Sequence, residues 1–316
     1  MTVYGVAAWL LLHYPLVVLP LPVLSAFLMV VLNNRNALIR IYSRMVSCSF
    51  IALSVMTLPL TAHNGGMLPF CAVQLCFIVF YLILFATYQN RQSQALVFYA
   101  FLSVGIASLF FVQILFFVPF MWILMGRNMM AMSMRIFAAS LLGLILPYWF
   151  AAGWYAFSGD ISPLLRHIAG ITDIFIPEGI RLFMDGTGLV HIGQKAETWH
   201  AMVLDVRTVR MLPTFVFMLA VSVIGMTHFI RYSYQDKIRT RMIFETVMTL
   251  TVLVIVFAIL QPQHMIMLLA LMTVNTGVLA AHFIALTSSR AANATFVTLI
   301  VLTLALTVFN IYGSTF

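Results

Sequence analysis

Ten apolar runs separated by short polar connectors dominate this chain, at residues 16–32, 45–60, 68–88, 95–109, 112–125, 136–157, 212–230, 243–260, 265–286 and 296–311. A bilayer core of about 30 Å takes roughly 20 apolar residues at about 1.5 Å per helical residue, and fewer where helices are short and paired. The runs at 96–125 and 296–308 lack the period-2 alternation of a barrel strand. Helices then remain as the way to satisfy backbone amides in hydrocarbon. The pattern predicts an all-α polytopic transmembrane helix bundle of about ten spans, forming a single integral membrane domain over residues 1–316. The stretch from 95 to 126 reads as one long tilted helix or as two short ones, and charge bias favours two.

One segment, 158–210, interrupts this pattern with polar residues. Ser162 followed by Pro163 reads as an N-cap with proline at the first helical position, and Leu164, Ile168, Ile171 and Phe175 recur at helical spacing. Pro177 and Glu178 open a second short helix carrying Ile180, Leu182, Phe183 and Met184, closed by Gly186. Both are expected to lie along the membrane surface. Residues 191–198 are polar and are expected to be flexible.

Composition agrees with a bilayer as solvent. The chain is 63% hydrophobic and 8% charged, with mean hydropathy +1.08, whereas a soluble domain carries roughly 25% charged residues. The formal charge of +8 comes from basic residues scattered through connectors, with no block or aromatic-interleaved patch. Nucleic acid is therefore not an expected partner. Connector charge instead predicts sidedness. Arg35, Arg40, Arg44, Arg91, Arg127, Arg135, Arg231, Lys237, Arg239, Arg241 and Arg290 all fall on one side of a ten-span bundle. Six of the eight acids (Asp160, Asp173, Glu178, Asp185, Glu197 and Asp205) lie in the 158–210 insert on the other side. The insert is thus expected outside the cytoplasm, with both chain ends. Residues 3–12 are too short to cross, so they form an interfacial helix with Tyr4 and Trp9 as belt aromatics, or follow a further upstream helix. Cys48, Cys71 and Cys76 lie in apolar runs without CxxC spacing and read as small core residues.

Asn33-Asn-Arg-Asn36, the 95–111 segment, Leu146-Pro-Tyr-Trp149 with Tyr155-Ala-Phe-Ser-Gly159, His282-Phe-Ile-Ala285 and Asn310 resemble a family of multi-pass inner-membrane proteins from Bacteroidetes. The resemblance runs from about residue 4 to the C-terminus. It implies architecture, including one further N-terminal transmembrane helix, and no activity. Gly105-Ile-Ala-Ser-Leu109 is more weakly similar to the paired helices of GT-C glycosyltransferases, which take sugars from polyprenyl-phosphate donors. Those enzymes use an acid in their first outer loop. The segment before Leu16 and the loop 61–67 have no Asp or Glu.

Candidate chemistry is sparse. Arg166, Gly170 and Asp173 share a face of the first surface helix, where Arg could anchor a phosphate headgroup and Asp act as base, with Arg181 a further cation in the insert. A solvated polar face is the competing reading. His167, His191 and His200 have no compact ligand spacing, so no metal is expected, and no cofactor either. Glu245 reads as an i,i+4 partner of Arg241. Gln74, Gln113, Asn275, His282 and Asn310 are polar groups within apolar runs, where interhelical hydrogen bonding is the first explanation. Of these only His282 titrates, and no buried Asp, Glu, Lys or Arg is expected to mark an ion path.

The sequence therefore points to an integral protein of the bacterial inner membrane, a non-catalytic scaffold or accessory subunit with a membrane-protein partner. The alternative is a GT-C-like enzyme, or a relative that binds polyprenyl-phosphate sugar at the outer face.

Overall fold

The structure, a computed structural model, describes residues 17–40, 43–64, 66–171, 183–184, 190–191, 206–286 and 290–315. Eleven α-helices lie among the described residues: α1 (Pro20–Asn36), α2 (Met45–Thr57), α3 (Met67–Leu84), α4 (Gln94–Phe110), α5 (Val118–Arg127), α6 (Met134–Phe157), α7 (Ser162–Ala169), α8 (Val206–Tyr232), α9 (Ile238–Leu260), α10 (Met265–Leu286) and α11 (Arg290–Thr315). A helix occupies each of the ten apolar runs, and α7 is the surface helix. Among the described residues, six stretches are long and apolar enough to cross a membrane: Met67–Thr87, Met134–Phe157, Arg210–Gln235, Ile238–Leu260, Pro262–Leu286 and Asn293–Tyr312. Met45–Thr61, Gln94–Phe110 and Val112–Arg127 are shorter apolar stretches.

The 95–126 region is two helices. The break falls at Phe111, whose φ of −143° and ψ of 89° leave the helical region, and the 3-10 turn Val112–Phe117 leads into α5. Pro119 explains where α5 begins: a proline lacking its N–H is tolerated in a first turn and breaks a helix elsewhere.

The bundle is organised around α10, which packs against α2, α3, α8 and α9. Of its span window 89% is buried, against 22% for α6 and 11% for α11 at the periphery. Small residues permit these approaches. A Cβ at Gly225 of α8 would stand 2.8 Å from the Leu279 side chain of α10, and one at Gly277 of α10 would stand 3.2 Å from the Phe50 backbone of α2. The α4–α6 pair is closer still. A Cβ at Gly143 would stand 2.4 Å from the Phe98 carbonyl oxygen, and one at Gly105 would stand 2.9 Å from that of Leu144. Pro147 lies inside α6 and has no N–H, so the Gly143 carbonyl loses its helical partner. Gly105 lets the α4 backbone close over that carbonyl.

The peripheral faces are apolar. Trp149, Phe150, Trp154 and Phe157 of α6 are all more than two-thirds exposed, and Val301, Val308 and Phe309 of α11 are exposed as well. Apolar ridges of this extent are out of place in water and ordinary against lipid.

Cross-connector contacts sort the helix ends. At one end, Gln89 donates its backbone N–H to Met129 (2.8 Å), Arg239 donates to the Phe85 carbonyl (3.1 Å) and Arg40 donates to Gln235 (2.8 Å). At the other, His167 meets the Ser108 carbonyl (2.9 Å), Gln113 donates to that of Gly170 (3.3 Å) and Phe111 meets the His264 ring at 5.8 Å. The basic connectors thus lie together, and α7 lies at the far end.

Three local expectations change. Phe183–Met184 is not helical and pairs antiparallel with Val190–His191, with Phe183 opposite His191. An Asp-Gly between short apolar runs is a hairpin signal as well as a helix stop. Ser162 lies within α7 and makes no side-chain cap; Asp160 instead accepts its backbone N–H at 2.9 Å. Glu245 pairs with Arg127 of α5 at 3.6 Å rather than with Arg241. Residues 1–16, on which the interfacial-helix alternative rests, lie outside the described residues, as do the remainder of the predicted second surface helix and residues 192–198.

Candidate functional site

The ionisable cluster of the bundle lies at the basic end, where α8 turns into α9. The 3-10 turn Ser233–Gln235 ends α8, and the Asp236 backbone N–H bonds back to the Ser233 carbonyl at 3.0 Å. This turn aims the Asp236 side chain inward. Its carboxylate Oδ2 meets His282 Nε2 of α10 at 3.3 Å, and both side chains are fully buried. On the other oxygen, Arg40 Nε approaches Oδ1 at 3.0 Å as an ion pair without hydrogen-bond alignment. The Arg40 side chain is 36% exposed, so it closes the cluster at its aqueous rim. The positive end of α9 begins just beyond Asp236 and adds to the field favouring a carboxylate there.

Aromatic rings wall the imidazole. Phe244 and Phe229 have centroids 4.7 and 5.2 Å from that of His282, and the two phenyl rings stack on each other at 4.7 Å. His228 of α8 lies 5.5 Å away, between Tyr232 and Phe283. With Nε2–H directed at Asp236, the ring's Nδ1 is buried without a hydrogen-bond partner. A His–Asp pair enclosed in this way can hold and move a proton, but a second molecule has no room against the ring.

A second anchor adjoins it. Arg239 donates to Asn36 Oδ1 (3.0 Å) and to the Phe85 carbonyl, and its guanidinium lies 5.9 Å over the Tyr88 ring. Asn33 donates to the Ser43 carbonyl at 2.8 Å. The Asn33-Asn-Arg-Asn36 motif therefore ties the end of α1 to two other segments, the stretch before α2 through Asn33 and α9 through Asn36.

Deeper in the bundle, each polar group on α10 meets a different neighbour. Thr273 accepts from Gln74 of α3, Asn275 Oδ1 accepts from Tyr81 of α3 at 2.7 Å, and Thr276 shares a 2.7 Å bond with Ser222 of α8. Toward the α7 end, Asn310 of α11 donates to the Met56 carbonyl (2.7 Å) and to Thr214 (3.1 Å), while its own carbonyl accepts from Arg210 (3.1 Å).

The residues singled out from sequence are thus scattered. Asn275 sits in the α3–α10 seam and His282 in the ionisable cluster. Gln113 occupies the 3-10 hinge before α5 and bonds to the residue that ends α7. Arg166 is exposed on α7 and, among the described residues, donates to the Ser162 carbonyl of its own helix, at 3.4 Å. Asp173 and Arg181 lie outside the described residues. No buried Asp, Glu, Lys or Arg was expected to mark an ion path, yet Asp236 is 5% exposed and pairs with His282. Asp236, Arg40 and His228 were missed. The available signal was that Asp236 is one of two acids outside the insert and the single one in a strongly basic connector.

Among the described residues, no three His, Cys, Asp or Glu side chains form a metal-sized group. An apolar groove of about 430 Å³ lies between α2, α8, α10 and α11, lined by residues including Ala52, Phe217, Ala280 and Leu299. No family model, curated protein or solved structure matches this chain.

Proposed function

We propose that this chain is a multi-pass scaffold or accessory subunit of a bacterial inner membrane, rigid in itself and presenting its peripheral helices to a membrane-protein partner. The observation that carries this reading is the fate of the interior polar groups. Gln74, Tyr81, Ser222, Thr273, Asn275 and Thr276 pair with one another across helix seams, so they hold helices together and do not line a path for solute. A GT-C-like enzyme needs an acid-bearing cleft between the surface helix and the α4–α5 pair. At that join His167 and Gln113 instead hydrogen-bond across to Ser108 and Gly170, which supports a docked surface helix.

We further infer ten crossings, with the basic end in the cytoplasm. The α4 helix of 17 residues measures about 25 Å. The 3-10 turn of 6 residues and the 10-residue α5 together measure about 27 Å. Each approaches the thickness of a hydrocarbon core. Ser158→Cys and Ser233→Cys should then label from opposite sides of intact membranes, and labelling from one side would refute the span count.

The partner is tested with a photoreactive residue in place of Trp149 on α6 or Val301 on α11, in cells. A discrete protein adduct is expected on at least one face; lipid adducts alone on both would overturn the scaffold reading. Binding of a polyprenyl phosphate to the purified chain, abolished by Arg166→Ala, would put the enzyme-like alternative in its place.

A further inference from the structure

We propose that Arg40, Asp236 and His282 form a proton-operated latch: one proton taken up from the aqueous phase at the basic end releases Arg40, and with it the end of α1, from the α8–α9 turn. Charge balance leads there. With His282 neutral, its Nε2–H donates to Asp236 Oδ2, while the carboxylate and the Arg40 guanidinium compensate each other across 3.0 Å. The triad, buried at His282 and Asp236 and open to water at Arg40, is then neutral overall, the condition under which a carboxylate is tolerated away from water.

An added proton upsets this balance. It binds His282 at Nδ1, the nitrogen that is buried with no acceptor facing it, so the new N–H is unsatisfied and two cations share one carboxylate. Every group facing the imidazole bears on the outcome. Asp236 comes from the turn, His228 from α8 at 5.5 Å between ring centroids, and Arg40 from the segment after α1. Phe229 of α8 and Phe244 of α9 are apolar walls. Arg239 of α9 is engaged by Asn36 and the Phe85 carbonyl. His228 offers no compensation, because its own protonation adds a further positive charge. Of the two cations, Arg40 has a route to water: its side chain is 36% exposed and its other bond runs to exposed Gln235. His282 and Asp236 stay, now an imidazolium–carboxylate pair, and Arg40 leaves.

Two backbone amides report the latch. Leu38 N–H bonds to the Asn33 carbonyl (3.4 Å) at the end of α1, and Asp236 N–H bonds to that of Ser233 (3.0 Å) in the turn. Hydrogen exchange of the full chain in lipid nanodiscs, corrected to a common intrinsic rate, should show both losing protection by at least about fivefold between about pH 8 and about pH 4. Arg40→Gln should be open at both extremes. His282→Gln, whose amide still donates to Asp236, should stay protected at both. Should His282→Gln fail to fold, ¹⁵N-histidine spectra of the unaltered protein serve instead, and the His282 ring should become doubly protonated over the interval in which the amides open. Unchanged protection in the unaltered protein, an undiminished pH response in His282→Gln, or amide opening while His282 stays neutral would each overturn the latch.

Discussion

Replacing Gly143 with alanine tests the tightest backbone approach at any described glycine. The new Cβ would stand 2.4 Å from the Phe98 carbonyl oxygen and 3.0 Å from the Leu102 nitrogen, both backbone atoms of α4 that no rotamer change can move. Ordinary contact begins near 3.4 Å, so α4 and α6 must separate by about 1 Å. A gap of that size forfeits roughly a quarter to a half of the dispersion energy of each facing pair, at about 0.1–0.2 kcal/mol per pair. Over some tens of atom pairs the loss comes to about 1–3 kcal/mol, the range found for overpacked cores. Gly153, one helix face away on α6, is the internal control: a Cβ there meets nothing within 4 Å, so Gly153→Ala should stay within about 0.5 kcal/mol of the parent. Reversible unfolding in mixed SDS micelles, followed by tryptophan fluorescence, gives both values. Gly105→Ala opens the same seam, so the Gly105/Gly143 double variant should lose less than the sum of the singles. Equal stability of Gly143→Ala and Gly153→Ala would refute the argument.

Gln74→Leu removes the buried bonds to Thr273 and Ser54 and should cost about 0.6–1.7 kcal/mol in the same unfolding assay. Asn310→Leu should cost about 1–2 kcal/mol, since it strips Thr214 and the Met56 carbonyl of their partner together, and its effect should be read as loosening of α11 by limited proteolysis. The Ser162 hydroxyl and backbone N–H, assisted by the charge of Arg166, hold Asp160 below the ordinary carboxylate range. A depressed folded value means that the stabilisation of the α7 start is present above the unfolded value of about 3.9 and is lost as pH falls through the folded one. The Leu164 and Leu165 amides, which bond to Ile161, should exchange faster in acid, and Asp160→Asn should abolish that dependence.

Ten of the eleven described helices were legible in the sequence because each coincides with an apolar run, and lipid enforces that correspondence more strictly than water does. The α4–α5 break was half legible: apolar character continues through it, and only Pro119 marks where the second helix starts. The site was largely illegible for the opposite reason. Tyr234-Gln-Asp-Lys237 reads as a solvated connector, and Asp236 is buried by partners 196 positions earlier, at Arg40, and 46 later, at His282. Glu245 similarly chose Arg127 over the nearby Arg241 because α5 docks beside α9, a tertiary fact without a local sequence signal.

The position of α10 in the chain shapes how the protein is made. The Gln74 amide N–H and the Tyr81 hydroxyl on α3 acquire their acceptors only when residues 199 and 194 positions later arrive. At about 5–20 residues per second that interval is roughly 10–40 s. Throughout it the Gln74 amide N–H and the Tyr81 phenol sit in hydrocarbon without their native acceptors, although Ser54 is already there to donate to the Gln74 oxygen. The nascent protein must therefore shelter them against the insertion machinery or a passing helper, and ribosome stalling before residue 273 should leave a species marked for degradation.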